Sequence, residues 1–253
     1  MPVLTVGGRA THVQELGAGP PVVMVHGLLV GSLASWYFTA APELARTHRV
    51  RMYDLRGHGL SERAASGYDT RTLAGDLDAL VHDLDAPFDL VGHSWGGLVA
   101  LRYAIDHPGR VRRLAIVEAP LPPANALAMT SFLQADDQLP ARLLDALPAP
   151  LREAVAGGRR QAARLLRALS ILVHESSLLA DVRGEPDLDD AELARVRAPT
   201  LALYGDRSAC LPGAERLART IPGARSRVLA GGHYLHLDAR EPLTRALAEH
   251  LDG

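Results

Sequence analysis

Lysine is absent from this 253-residue chain, in which all 27 basic residues are arginine. Without lysine, the chain cannot form a lysine Schiff base or supply the lysine of a phosphate-binding P-loop. Cysteine occurs once, at Cys210, so no disulfide can form within the chain. These two shortages exclude several classes of enzyme and every fold that depends on internal disulfides.

Long apolar runs are also missing. No stretch reaches the ~20 consecutive apolar residues that a helix needs to cross a bilayer, and no basic segment followed by an apolar core stands at the beginning. We therefore expect a cytoplasmic protein with no membrane partner. The net charge is −2, so the chain lacks the basic footprint of a nucleic-acid-binding protein.

Strand and helix patterns alternate along most of the chain. Residues 3–16 alternate like a hairpin arm, and further strands are predicted at 21–25, 48–53, 88–92, 112–118, 199–204 and 226–229. Helices are predicted around 36–46, 70–84, 95–107, 213–221 and 239–251. This alternation predicts the α/β class, with a parallel sheet and helices on both of its faces.

The alternation stops at Ala119-Pro120-Leu121-Pro122-Pro123. From there to about residue 197, leucines recur at helical spacing and the sequence shows no good strand pattern. We expect residues 1–120 and 198–253 to form the sheet domain, and residues 121–197 to form a helical insertion.

The most specific motif is Gly92-His93-Ser94-Trp95-Gly96, which lies between a predicted strand and a predicted helix. A turn this sharp brings its flanking positions against the neighbouring chain, where only glycine fits. The serine is then exposed at the carboxyl end of a strand, above a helix N-terminus. The motif predicts that Ser94 is a nucleophile.

A nucleophilic serine needs a base, and the base needs an acid that orients it. Asp206 and His233 each follow a predicted strand, so both are expected at the same sheet edge as Ser94. Glu118 also ends a predicted strand and is the alternative acid, and His236 is the alternative base. His233 and His236 could be half of a metal site, but no third ligand stands at a suitable spacing, so we expect no metal.

Taken together, these motifs resemble the α/β-hydrolase fold family, in particular its capped serine esterases and thioesterases. The resemblance is carried, in the family's order, by His26-Gly27, Tyr53-Asp54-Leu55-Arg56-Gly57-His58-Gly59-Leu60-Ser61, Gly92-His93-Ser94-Trp95-Gly96-Gly97, Gly205-Asp206 and Gly232-His233. It implies an eight-stranded, mostly parallel sheet and a helical cap at residues 121–197. It also favours Asp206 as the acid and His233 as the base, and it implies no cofactor.

Further site residues are expected around Ser94. The backbone N–H groups of Leu28 and Trp95 are expected to form an oxyanion hole, in which each donor lowers the barrier by roughly 3 kcal/mol. Trp36, Tyr204 and Tyr234 are the candidates for lining the substrate pocket, although core packing accounts for Trp36 equally well.

The resemblance implies a serine hydrolase that acts on a small-molecule ester or thioester through an acyl-enzyme. The insertion is rich in leucine and alanine and poor in aromatics, which favours an apolar acyl group. Four arginines, at Arg159, Arg160, Arg164 and Arg167, give one predicted helix a basic face. We expect this face to be solvated, and an acyl carrier protein is the alternative partner.

Other functions stay open on the same residues. Carbon–carbon bond hydrolases share the fold, but those that resemble dienoate-cleaving members carry a tryptophan soon after the catalytic histidine, where this chain has Tyr234-Leu235-His236. A lactone-forming or lactone-opening enzyme would use the same groups, and a ligand receptor would keep the shell without the chemistry. Epoxide hydrolases and haloalkane dehalogenases need an aspartate where Ser94 stands.

Overall fold

The protein is described from a computed structural model over residues 2–84, 87–123, 152–153 and 157–253. Its strands are β1 (Val3–Val6), β2 (Arg9–Leu16), β3 (Pro21–Val25), β4 (Arg49–Tyr53), β5 (Phe88–His93), β6 (Val111–Val117), β7 (Thr200–Gly205) and β8 (Arg225–Leu229). Its helices are α1 (Ala34–Tyr37), α2 (Ala41–Leu44), α3 (Thr70–Leu80), α4 (Trp95–Asp106), α5 (Arg159–His174), α6 (Leu178–Gly184), α7 (Asp190–Leu193), α8 (Pro212–Thr220), α9 (Leu235–Asp238) and α10 (Arg240–Asp252). Of these helices, none combines the length and the apolar character that spanning a bilayer requires.

All eight strands belong to a single sheet in the order β1-β2-β4-β3-β5-β6-β7-β8. The β1–β2 and β2–β4 pairs are antiparallel, and the five remaining pairs are parallel. The prediction of an eight-stranded, mostly parallel sheet with helices is therefore confirmed. Because β3 to β7 run in the same direction, the loops that follow them meet at one edge of the sheet.

The middle strands are mostly apolar because both faces of the sheet are covered. Every residue of β5 and β7 is buried. On one face the core includes Leu77 of α3 and Leu98 of α4, and on the other it includes Leu44 of α2 and Leu247 of α10. This packing holds the strand ends, and the loops beyond them, in fixed positions.

The predicted helix at 36–46 is instead two short helices, α1 and α2. Pro42 lies in the first turn of α2, where its missing N–H costs no hydrogen bond. The hydroxyl of Thr39 donates to the Ser35 carbonyl, and the chain bends between the two helices. A proline that starts a new helix therefore divides one predicted element into two.

The described part of the predicted insertion contains the helices α5, α6 and α7. Leu169 and Val173 of α5 pack with Leu29 and Val30, which follow β3. The rest of the predicted insertion, residues 124–151 and 154–156, lies outside the described residues. That 121–197 acts as one cap stays a prediction.

Candidate active site

Ser94 lies in a strained turn between β5 and α4. Its backbone has φ 54° and ψ −124°, a conformation that residues other than glycine rarely adopt. A Cβ atom at Gly92 would lie 2.3 Å from the Gly96 carbonyl oxygen, and one at Gly96 would lie 2.4 Å from the His26 carbonyl oxygen. Both flanking positions therefore require glycine, and the turn presents the hydroxyl at the sheet edge.

His233 lies in the loop after β8 and faces this hydroxyl. The Ser94 hydroxyl donates to His233 Nε2 at 2.9 Å. On the other side of the ring, Nδ1 lies 3.3 Å from Oε2 of Glu118. A neutral imidazole that donates through Nδ1 keeps Nε2 free as an acceptor. This arrangement can take a proton from the serine hydroxyl.

Glu118 follows β6 and is completely buried. Its φ is 59°, and its carboxylate accepts hydrogen bonds from the Gly205 N–H and the Ser208 hydroxyl. Its own backbone N–H donates to the Leu203 carbonyl at 3.0 Å, which fixes it beside the end of β7. These bonds compensate a buried carboxylate that would otherwise be costly.

The carboxylate of Asp206, the acid that the family resemblance favours, has partners other than the His233 ring. Its side chain is 49% exposed and pairs with Arg207 at 3.2 Å. Oδ1 also accepts from the Gly231 N–H at 2.9 Å, which ties down the loop that carries His233. Within the described residues, none of its hydrogen bonds reaches the imidazole. The structure places Glu118 against the ring and Asp206 outside contact with it, and the choice of Glu118 as the acid belongs to the proposed function.

The two expected oxyanion donors lie close to the hydroxyl. Leu28 follows β3 and lines a cavity together with Ser94, and the backbone of Gly27 approaches so closely that a Cβ there would lie 2.9 Å from that of Ser94. Trp95 is the first residue of α4. In the part of the chain that the structure describes, neither the Leu28 nor the Trp95 backbone N–H donates to a protein acceptor. Both stay predicted donors.

A cavity of about 280 Å³ opens beside Ser94 and His233. Its apolar lining comes from Leu28, Val30, Ala34, Phe38, Tyr234 and Leu237. Of the three pocket candidates, Tyr234 lines this cavity. Trp36 is fully buried in the core, and Tyr204 is buried with its hydroxyl donating to the Ala119 carbonyl, so neither lines it.

Two further histidines, His93 and His236, line the cavity beside Ser94, and the sequence did not predict their contacts. Nε2 of His93 donates to the His233 carbonyl at 2.9 Å, which joins the serine turn to the histidine loop. Burial, together with the neighbouring His236 and His233, holds the pKa of His93 well below 6.5. His236 is also buried, which lowers its pKa to about 4. The signals available in the sequence were the position of His93 next to Ser94 and that of His236 three residues after His233.

Comparisons with known proteins agree with this architecture. The family model for the alpha/beta hydrolase fold matches residues 20–163. Pimeloyl-[acyl-carrier protein] methyl ester esterase of Chromobacterium violaceum is 33% identical over 270 residues, covering 95% of this chain and 97% of that protein. The 2-hydroxy-6-oxo-2,4-heptadienoate hydrolase of Pseudomonas putida is 43% identical over 124 residues, which is 46% of this chain and 44% of that protein.

Similarity to solved structures extends over the whole chain. The esterase EaEST from Exiguobacterium antarcticum superposes with a TM-score of 0.79 at 25% identity, covering 99% of both chains. The sheet order, the strained serine turn and the family match lead to the same conclusion. The chain belongs to the α/β-hydrolase fold family.

Proposed function

We propose that the protein is a serine hydrolase that cleaves a carboxylic ester or thioester with a mostly apolar acyl group. The observation that carries this proposal is the continuous contact from the Ser94 hydroxyl through the His233 ring to the Glu118 carboxylate, at 2.9 and 3.3 Å. Nucleophile, base and acid in contact are the arrangement that acyl transfer needs.

In the first half-reaction, the Ser94 oxygen attacks the carbonyl carbon while its proton moves to Nε2 of His233. Glu118 holds the ring in the tautomer with Nδ1–H and stabilises the imidazolium that forms. The N–H groups of Leu28 and Trp95 stabilise the tetrahedral oxyanion. His233 then protonates the departing alcohol or thiol, which leaves an acyl group on Ser94.

In the second half-reaction, His233 removes a proton from water, which attacks the acyl-enzyme. Collapse of the second tetrahedral intermediate returns the proton to Ser94 and releases the carboxylic acid. Asp206 takes no proton in this scheme. It positions the His233 loop through its bond to the Gly231 N–H.

The apolar part of the substrate fits the cavity beside Ser94. Leu28, Val30, Phe38 and Leu237 provide apolar surface there, and His93 and His236 provide polar edges. The Chromobacterium relative is named for a methyl ester of a carrier-bound acyl chain. Arg164 and Arg167 of α5 are exposed, and their positive charge could contact an acyl carrier protein. A carrier-bound ester should therefore be compared with the free ester.

A fluorophosphonate probe tests the nucleophile. We expect a single adduct, located on Ser94 by peptide mass mapping, and no adduct in Ser94→Ala. A panel of p-nitrophenyl esters, acyl thioesters and carrier-bound methyl esters then ranks the substrates by kcat/KM. Turnover of esters by Ser94→Ala at near wild-type rate would overturn the proposal.

Carbon–carbon bond hydrolysis is the second candidate, and the relative from Pseudomonas putida is the observation that favours it. That reaction would use the same serine and histidine on a ring-fission dienoate. Cleavage of such a dienoate with a kcat/KM above that of every ester in the panel would replace the first proposal with the second. Probe labelling alone does not separate them, because both need an accessible Ser94.

A further inference from the structure

Three different metal-ligating groups meet behind the His233 ring, on the side away from Ser94. The carboxylate of Glu118, the thiol of Cys210 and Nδ1 of His233 each offer one ligand atom, and all three atoms lie within 4.8 Å of one another. Nδ1 is 3.3 Å from Glu118 Oε2 and 3.8 Å from Cys210 Sγ. The three residues come from three separate loops at the sheet edge.

The two separations from Nδ1 of His233 are close to those of a tetrahedral metal site, and the Glu118 and Cys210 ligand atoms lie within 4.8 Å of each other. Zinc binds imidazole nitrogen and carboxylate oxygen at about 2.0–2.1 Å and thiolate sulfur at about 2.3 Å, so its ligand atoms lie roughly 3.3–3.6 Å from each other. The contacts at 3.3 and 3.8 Å need adjustments of only a few tenths of an ångström to receive an ion. A sulfur, a nitrogen and an oxygen ligand together favour borderline-soft divalent ions over magnesium or calcium.

The charges balance as well. Glu118 and Cys210 are both fully buried, and a dication between a carboxylate and a thiolate forms a neutral cluster, which suits an interior that tolerates charge only when it is compensated. The Gly205 N–H and the Ser208 hydroxyl already hold the Glu118 carboxylate in place. One ligand is therefore oriented before any ion arrives.

We propose that Glu118, Cys210 and His233 form an inhibitory binding site for a thiophilic divalent cation of the zinc and cadmium class. On binding, the Cys210 S–H bond breaks, a bond from sulfur to the metal forms, and the proton leaves to solvent. The ion takes the lone pair of Nδ1, so the ring proton moves from Nδ1 to Nε2.

The shift of that proton explains the inhibition. With Nε2 protonated, the ring donates to the Ser94 oxygen and can no longer accept the hydroxyl proton. The ion also removes Glu118 from its contact with Nδ1–H. The enzyme stays folded and its cavity stays open, but the base is locked in the wrong tautomer. The inhibition rests on the proposed function, whereas the binding itself does not.

Cadmium is the probe, because its thiolate complexes absorb in the ultraviolet by charge transfer. We expect wild-type protein to bind one equivalent with that band, to lose ester turnover and fluorophosphonate labelling as the site fills, and to recover both with excess EDTA. Cys210→Ser keeps the shape of the side chain approximately and removes the thiolate. Its half-inhibitory cadmium concentration should rise by at least about tenfold, since even outer partners of metal ligands are worth 10- to 100-fold in affinity.

Each variant is compared with its own metal-free activity, and thermal melts confirm folding. Cys210→Ala is the second variant if the serine variant melts early. Ser94→Ala should bind cadmium as wild type does, so a failed function and a failed metal site give different results. The proposal is overturned by the lack of a charge-transfer band in the wild type, or by equal cadmium sensitivity in the wild type and both Cys210 variants.

Discussion

At the scale of single residues, Glu118 and Asp206 divide two tasks between two carboxylates. Glu118 is buried against the imidazole, and Asp206 is half exposed and holds the loop that carries His233. A buried carboxylate acts on the ring in a low dielectric, where its interaction is stronger than at the surface. We therefore expect Glu118 to affect mainly kcat, and Asp206 to affect mainly how rigidly the loop that carries His233 is held.

Amide substitutions separate these roles. We expect Glu118→Gln to lower kcat by roughly 10³- to 10⁴-fold, since loss of the acid lets the ring adopt the wrong tautomer. Asp206→Asn keeps one oxygen to accept from the Gly231 N–H and should lower kcat by less than about tenfold. The measurement is steady-state kinetics on a p-nitrophenyl ester, with folding checked by circular dichroism. A larger loss in Asp206→Asn than in Glu118→Gln would reverse the assignment.

The strained backbone at Ser94 leads to a second prediction, which concerns the free energy of unfolding. Ser94 has φ 54°, a conformation that glycine adopts readily and that costs other residues about 1–3 kcal/mol. Ser94→Gly and Ser94→Ala both remove the hydroxyl, so their comparison isolates the backbone. We expect the glycine variant to have a free energy of unfolding higher by about 1 kcal/mol in urea titration, after the entropy that glycine adds to the unfolded chain. An alanine variant of equal or greater stability would contradict this prediction, because the strain at residue 94 would then be no larger than the entropy that glycine adds to the unfolded chain.

The sequence predicts these residues unequally. Ser94 and His233 follow from motifs that need a strand on one side, and the structure brings the two together. The choice between Glu118 and Asp206 does not follow, because both residues end a strand at the same edge of the sheet. It depends on the φ of 59° at Glu118 and on the turn after β7, which no local pattern reveals.

At the scale of elements, two carboxylates in and directly after α6 bind the first residue of α3 and the segment that precedes it. Asp181 of α6 accepts from the Tyr68 N–H at 2.8 Å, and Glu185 accepts from the Thr70 N–H at 2.9 Å. The Tyr68 carbonyl in turn accepts from the indole N–H of Trp95 at 3.0 Å. The segment around residue 68 thus connects α6 to the residue that follows the nucleophile.

Removing one carboxylate should loosen this connection. In Glu185→Ala, the Thr70 amide and hydroxyl lose their shared acceptor, so we expect faster hydrogen exchange at the Thr70 amide and a higher KM with little change in kcat. Asp187→Ala is the matched control, since its carboxylate pairs with Arg216 near the surface. Exchange of the Thr70 amide that is identical in the two variants would show that Glu185 does not anchor the helices.

Elements were easier to predict than their contacts. The six strands predicted from residue 21 onward lie within two residues of their observed bounds, because apolar runs between turn residues define buried strands. The helix predicted at 36–46 was wrong as a single element, since Pro42 begins a separate helix. Anchors such as Thr70 to Glu185 join residues 115 positions apart, a pairing that no periodicity encodes.

At the scale of the whole molecule, the buried histidines His26, His58 and His93 lie in or beside the loops at the edge of the sheet that carries Ser94. His58 accepts from the Leu29 N–H and donates to the Arg56 carbonyl, both at 2.9 Å, which uses each ring nitrogen once. Burial, with a smaller contribution from His26, lowers the pKa of His58 to about 3, and the hydrogen bond to the Arg56 carbonyl and the charge of Asp54 oppose this shift. The fold therefore keeps this ring uncharged at neutral pH.

The difference between the folded and unfolded pKa of His58 determines how the free energy of unfolding changes with pH. Between the unfolded pKa of 6.5 and the folded value of about 3, the unfolded chain binds the extra proton, so stability is full above pH 6.5 and falls as the pH drops through this window. The contribution of His58 is up to about 1.4 kcal/mol per pH unit. We expect His58→Gln to flatten the fall in the free energy of unfolding between pH 6.5 and pH 4.5, and His82→Gln, at an exposed position, to leave it unchanged. If the free energy of unfolding falls equally steeply with pH in the wild type, His58→Gln and His82→Gln, the prediction is contradicted.

The residues in contact at the site, Ser94, Glu118 and His233, all lie outside the stretch 121–197, although Glu118 precedes it by only three positions. Exchange of that stretch for the corresponding stretch of a relative would therefore leave these three residues in place. We therefore expect such an exchange to change which acyl groups are preferred while the residues that contact Ser94 stay the same. Such an exchange has to keep Asp181 and Glu185, which accept hydrogen bonds from the Tyr68 and Thr70 N–H groups.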